Sequence, residues 1–339
     1  MERAKVTSAE VAALAGVSQS AVSRVFTPGA SASARTVEKV RKAADKLGYR
    51  PNVLARAMVS GRSRIIGLVV AYLDNQFYPV ALERLSNALQ AEGYHILIFT
   101  APNSTDGVGK VMQDLMAYQV DGIILASVSI SSDLTARAKA AGIPVVLFNR
   151  GQDDRRLSAV TSANRQGGRL AAEFLLAGGH ERIAHIAGWQ GASTGRDRQS
   201  GFLEGLAAAG RAPMAVIDGM YNRDIASACT QKLLAGGQPP DAIFVGNDHM
   251  AFAVLDRLRA EGLIPGQDVS VVGYDDVPLA AWGAYDLTTI RQPVNRMVDT
   301  AVSTMLAQIE APETPPRQIE IAGQLIVRNS ARIPQGWTP

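Results

Sequence analysis

The sequence predicts two folds in series: an all-α helix-turn-helix head, then an α/β body built on two doubly wound parallel sheets. Three observations carry this. Residues 1–64 hold twelve Lys and Arg against four acids, a net of +8, while the rest of the 339-residue chain holds 22 bases and 27 acids, a net of −5. Helix caps and helical spacing of apolar residues fill roughly the first fifty positions. From Ile65 onward, continuous apolar runs alternate with amphipathic segments, the pattern of parallel strands covered by helices on both faces.

Composition narrows the function classes. With 47% hydrophobic and 19% charged residues the chain is globular. Its longest apolar run, Ile65 to Leu73 interrupted only by Gly67, is about half of what a membrane span needs. Met1 to Lys5 leads into an amphipathic segment and not an apolar h-region, so a cytoplasmic protein is expected. Cys229 is the only cysteine, which excludes intramolecular disulfides and thiolate metal clusters. The four histidines lack ligand spacing, and no metal or cofactor is expected. A basic head on an acidic body is the electrostatic footprint of a polyanion-binding module.

In the head, Thr7-Ser8-Ala9-Glu10 forms a capping box, and the helix it opens is expected to bury Val11 and Leu14 and to stop at Gly16. Ser18 caps a second helix running to about Phe26, with Val22 and Val25 inward. A third runs from about Ser33 to Leu47, with Val37, Val40, Ala44 and Leu47 at helical spacing and Gly48 as its stop. Two short helices joined by Ala15-Gly16-Val17 make a helix-turn-helix, whose second helix lies in the major groove of DNA. Gln19, Ser20 and Arg24 then face base edges; Gln suits adenine and Arg suits guanine. Each alone reads more readily as a solvated surface residue, and only the assembled motif favours readout. Asn52 and Gly61 bound a further helix of about two turns, too short to persist unless something packs against it.

In the body, strands are expected at Ile65–Ala71, His95–Thr100, Gly122–Leu125, Val145–Asn149, Arg182–Gly188, Met214–Asp218, Ala242–Val245 and Ser270–Gly273. Helical stretches lie near 79–92, 108–119, 164–177, 198–209, 224–235 and 249–261. So many βα units exceed one ordinary open sheet, and two lobes follow. Ligands of such sheets bind beyond the carboxyl ends of the strands. Asp74, Asn75, Asn149, Arg150, Asn247 and Asp275 all fall there, and their carboxylates, amides and guanidinium suit sugar hydroxyls. Phe77, Tyr78, Tyr221 and Trp282 are candidate aromatic walls.

Val6-Thr7, Ala12 to Ser18, Val22-Ser23-Arg24-Val25, Gly48-Tyr49-Arg50-Pro51-Asn52 and Ile66-Gly67-Leu68-Val69 resemble, in order and spacing, the lactose-repressor (LacI/GalR) family of bacterial transcription regulators. In the body, Ala242 to Asp248, Val271 to Asp276, Leu287 to Ile290 and Gln292-Pro293 match it too. The resemblance implies a helix-turn-helix domain over 1–50, a hinge helix within 51–61, and a two-lobed periplasmic-binding-protein-like domain over 62–339. The N-lobe would take about 62–161 and 292–322, and the C-lobe 162–291 and 323–339. It implies DNA contacts from Thr7, Ser18, Gln19, Ser20, Ser23 and Arg24, and from Asn52, Ala55, Arg56 and Met58 in the hinge. Met58 would wedge into the minor groove where the family usually has Leu. Effector positions of the family fall on Asn75, Phe77, Asn149, Arg150, Thr194, Arg198, Tyr221, Asn247 and Asp275. The chain departs from the family's pattern at Gln76, often Pro, and at Ala163, usually Asp. Ala192 stands where some purine-binding members have an arginine, which argues against a carboxylated purine and leaves a sugar or polyol.

The function implied is a sequence-specific DNA-binding repressor whose operator affinity is set by that small molecule. Its partners are double-stranded operator DNA of pseudo-palindromic sequence and a second copy of the chain, because a wedge needs two hinge helices. An enzyme is disfavoured: there is no P-loop, no G-x-G-x-x-G after a first strand, and Asp248-His249 are neighbours rather than a relay. A solute-binding protein on the same fold is disfavoured by the basic head.

Overall fold

The computed structural model describes residues 6–27, 30–50, 62–71, 73–101, 105–128 and 130–337. It divides into two compact units, Met1–Ser63 and Arg64–Pro339. The hinge positions Asn52, Ala55, Arg56 and Met58 lie outside the described residues.

The first unit holds α1 (Ser8–Ala15), α2 (Gln19–Val25) and α3 (Ala34–Leu47). Thr7 and Glu10 close the capping box on α1, and Gly16 ends it at φ 64°, a left-handed turn that costs glycine little. Ser18 and Ser33 cap α2 and α3 through the amides of Ala21 and Thr36. Val11, Ala12, Ala15, Val22, Val40, Ala43 and Ala44 make the core. Leu14, expected inside, is 46% exposed. On so short a helix the buried stripe is narrow, and Ala12 and Ala15 fill it.

The second unit contains two six-stranded sheets. The first, in the order β11-β5-β4-β3-β1-β2, joins Gln318–Ile321, Ser158–Ser162, Val145–Phe148, Gly122–Ala126, Ile65–Val70 and His95–Thr100, all parallel. The second, β12-β10-β9-β8-β6-β7, joins Gln324–Ile326, Thr288–Arg291, Ser270–Asp275, Ala242–Val245, Ile183–Ala187 and Ala215–Asp218. Only its β12–β10 pair is antiparallel. The helices are α4 (Phe77–Ala91), α5 (Thr105–Ala117), α6 (Ser132–Ala140), α7 (Asn164–Ala177), α8 (Ser193–Ala208), α9 (Arg223–Leu234), α10 (Asp248–Ala260) and α11 (Val294–Glu310). The chain passes between the sheets three times, after β5, after β10 and between β11 and β12.

The pattern-derived strands all form; His95–Thr100 and Ala242–Val245 keep their expected ends, and the others shift by one or two residues. Asn149, expected inside β4, has φ 68° and leaves the strand there. β9 runs on to Asp275. Absent from the sequence reading are α6, α11, β5 and β10 to β12. The strands among them are three to five residues long and rich in Ser, Thr and Gln, so no apolar run marks them. α11 does carry a signal: Met297, Val298, Ala301, Val302 and Met305 are buried at helical spacing.

α8 begins at Ser193, five residues before the expected helix, which sets Thr194 and Arg198 one turn apart on one face. It packs tightly on α7, because a side chain at Gly168 would strike the Arg198 carbonyl and one at Gly201 the Arg165 carbonyl. This close approach fixes the root of Arg198.

Candidate functional site

On the head, the exposed face of α2 presents Gln19, Ser20, Ser23 and Arg24 together, at i, i+1, i+4 and i+5. The Gln19 amide donates to Ser8 Oγ at 2.8 Å, and Ser18 and Ser20 hydroxyls pair at 2.9 Å. The Thr7 backbone N–H and hydroxyl donate to Glu10 Oε2 at 2.7 and 2.9 Å and hold the Glu10 carboxyl below its usual range, while the hydroxyl accepts from the Glu10 amide. The arrangement is a short polar helix face with one cation, ordered by caps and free of apolar side chains. Major-groove reading needs such a face.

On the body, the carboxyl ends of both sheets face one cavity that opens to solvent. After β1 come Asp74 and Asn75, and α4 contributes Tyr78. Ser127 follows β3, and Asn149 and Arg150 follow β4. From the second sheet come Thr194 and Arg198 of α8, Tyr221 after β7, Asn247 after β8 and Asp275 at the end of β9. Eight of the nine expected effector positions therefore converge here. Phe77 is the exception: it is buried, stacked on Phe148 at 6.4 Å, and the aromatic wall beside it is Tyr78. Trp282 is 62% exposed and away from the cavity.

Arg198 organises the floor. Its Nε donates to Asn164 Oδ1 at 2.9 Å and a terminal nitrogen to the Gly246 carbonyl at 2.7 Å. Its guanidinium lies 3.7 Å from the centre of the Tyr274 ring, and its other terminal nitrogen is 3.5 Å from Asp275 Oδ1. Asp275 Oδ1 also accepts from the Gln292 amide at 2.7 Å. Just behind it, fully buried, Asp248 accepts from Thr289 Oγ1 at 2.6 Å and from the Val277 amide at 3.0 Å. Burial raises both carboxyls above the usual range; repulsion from Asp275 adds to the rise at Asp248, while Arg198 pulls Asp275 back. Asp248 thus backs the site without lining it, a neighbour the sequence does not announce. Its helix-start position looks like a cap, and only the fold reveals the carboxylate neighbour.

The other walls are polar and positioned. Asn149 donates to Tyr78 Oη at 3.0 Å, and its own carbonyl Oδ1 is buried without a partner among the described residues. Asn247 caps α10 through the Met250 amide at 3.0 Å, which leaves its NH₂ for a ligand. Tyr221 donates to Thr194 Oγ1 at 3.0 Å and, with Met220, adopts a left-handed backbone. Its ring fills the space that a side chain at Gly188 would enter. Arg150 lies 5.6 Å over the Trp189 ring. Such a cavity offers paired acceptors, amides and cations around aromatic faces, so it can bind a small polyhydroxylated molecule. Among the described residues no group of acidic, His and Cys side chains could hold a metal ion. No helix among them is long and apolar enough to cross a membrane.

Comparison with known proteins agrees on both units. Residues 7–52 match the model for bacterial regulatory proteins of the lacI family, and residues 172–331 the model for the periplasmic binding protein-like domain. The chain is 31% identical to the HTH-type transcriptional repressor PurR of Vibrio parahaemolyticus over 335 residues, covering 95% of this chain and 98% of that protein. Among solved structures it is similar to the transcriptional regulator CelR in its cellobiose complex (32% identity, TM-score 0.73, 96% and 100% of the two chains). It is also similar to the lac repressor dimer bound to operator and the anti-inducer ONPF (27% identity, TM-score 0.87, 97% and 100%). A basic helix-turn-helix unit, a two-sheet body with a polar cavity at its strand ends, and near full-length similarity to a repressor meet in one conclusion: the chain belongs to the lacI family of bacterial regulatory proteins, the DNA-binding transcriptional regulators.

Proposed function

We propose that this regulator is a homodimeric repressor, acting in the cytoplasm on a pseudo-palindromic operator, and that a sugar or polyol in the body's cavity sets its operator affinity. The observation that carries the effector class is the convergence of Asp275, Arg198, Asn149 and Asn247, from both sheets, on one cavity. Carboxylate and amide oxygens accept from vicinal hydroxyls, and the amide and guanidinium nitrogens donate back. The unpartnered Asn149 carbonyl wants a donor, which a hydroxyl supplies. Ala192 brings no cation to the start of α8, where a carboxylated purine would want one. A molecule held by groups of both sheets favours one arrangement of the lobes by its differential affinity for it. The carbohydrate ligand of CelR and the operator bound by the lac repressor support the two halves of the reading.

A thermal-shift screen of sugars and polyols tests it, since a ligand that binds only the folded state raises the melting temperature. A hit should also change the affinity of the full chain for its operator. A screen in which purines shift the melting temperature and no sugar or polyol does would overturn the effector class.

A further inference from the structure

We infer that α3, and not the groove-reading helix, is the main phosphate-binding surface of the head: a rail of cations that lies along the DNA backbone. The inference rests on the DNA-binding reading above. Arg35, Lys39, Lys42 and Lys46 fall at i, i+4, i+7 and i+11, so they form one stripe down the full helix, and all four are exposed. At about 1.5 Å per residue the stripe is roughly 16 Å long. Among the described residues none of the four makes an ion pair or a side-chain hydrogen bond. Glu38 stands i, i+4 from Lys42, the favourable order, and still does not pair with it. The helix's two acids, Glu38 and Asp45, lie to one side of the stripe with Arg41. The opposite face, Val40, Ala43 and Ala44, is buried in the head's core, so the stripe looks outward.

The distribution of charge singles out this helix. α1 carries no Lys or Arg and α2 carries only Arg24, whereas α3 holds five of the twelve bases in residues 1–64. A polar face with one cation can read bases, but it cannot supply the counterion release that dominates affinity for duplex DNA. Among the described residues of the head, α3 alone concentrates several unpartnered cations, and duplex phosphates are the partner its charge complements.

The test uses the full chain and a random-sequence DNA duplex, for which no operator need be known. Affinity is measured by fluorescence anisotropy between about 50 and 200 mM salt, where each phosphate contact contributes about 0.9 to the log–log slope. Lys42→Gln/Lys46→Gln should shrink the salt-driven fall in affinity by about tenfold, as expected for two contacts. Arg35→Gln/Lys39→Gln should do the same. Arg41→Gln, on the same helix but off the stripe, should leave the slope unchanged. Unchanged melting temperatures confirm that the exposed changes spare the fold. Stripe variants with the wild-type slope, or an Arg41 variant that loses as much per charge, would overturn the rail. A wild-type chain that binds no duplex even at low salt would instead sink the DNA-binding reading itself.

Discussion

The Tyr221 ring occupies the space that a side chain at residue 188 would take, so Gly188 is what lets Tyr221 enter the cavity. Two consecutive left-handed residues, Met220 and Tyr221, turn the backbone to aim the ring there. Gly188→Ala should therefore displace the ring or the end of β6, at a cost of about 1–3 kcal/mol from overpacking. Denaturant unfolding measures the cost, and the melting-temperature rise given by a screening hit should shrink with it. A variant as stable and as responsive as the wild type would mean the ring relocates freely.

Arg198 is the only guanidinium within ion-pair distance of the buried Asp275 carboxylate among the described residues. Arg198→Leu would leave that carboxylate, with Asp248 behind it, uncompensated. Removing one partner of a buried pair costs about 3–5 kcal/mol. The double change Arg198→Leu/Asp275→Leu should recover much of this loss in chemical denaturation; additive losses would show that the two side chains act separately.

Asp275→Ala should abolish the response to effector while sparing operator binding by the effector-free protein. The lost carboxylate leaves ligand hydroxyls unpaired at a cost of roughly 1–3 kcal/mol, and the head keeps its own contacts. Calorimetry with the screening hit, beside an operator titration, separates the two. Wild-type effector affinity in the variant would remove Asp275 from the binding set.

On the head, Arg24→Ala should cost roughly 1–3 kcal/mol on the operator and little on random-sequence DNA, as a base-edge contact does. Equal losses on both duplexes would make Arg24 a phosphate contact.

His185 gives the body an acid limit. It lies in the middle of β6, donates to the Phe244 carbonyl at 2.9 Å and is sandwiched by the Phe202 and Phe244 rings, with centroids at 5.2 and 4.8 Å. Burial lowers its imidazole from 6.5 to about 4. The folded state thus disfavours the proton that the unfolded chain takes up. Its contribution is complete above pH 6.5 and is lost as the pH falls from 6.5 toward 4, by about 3 kcal/mol in all. His185→Phe should be less stable near neutrality, where the Phe244 carbonyl loses its donor, but its stability should fall less steeply with acid. Parallel wild-type and variant stability curves between pH 7 and pH 4 would disprove the assignment.

What the sequence made legible follows from how each residue earns its place. Continuous apolar runs such as Ile65–Val70 and Ala242–Val245 declare themselves, because a strand buried on both faces has no polar positions. β5, Ser158-Ala-Val-Thr-Ser162, does not: Ser158 is buried by bonding to Gln308 and the Arg317 amide, partners some 150 residues away. The polar rim of the cavity was legible, since strand ends point at the ligand. Which neighbour faces inward was not. Phe77 and Tyr78 are equally aromatic, and only the turn at Asn75, whose carboxamide accepts from the Phe77 amide, decides that Tyr78 lines the cavity.

The threading of the body has a consequence for its synthesis. β5 is completed as a sheet neighbour only by β11, with Ala159 opposite Gln318, and β10 only by β12, with Ile290 opposite Leu325. At about 5–20 residues per second, a nascent chain carries β5 with a bare side for roughly 8–30 s before its partner is made. Such an open strand is a template for pairing with another chain. Each sheet thus receives its last strand late, and residues 318–326 complete both at nearly the same moment.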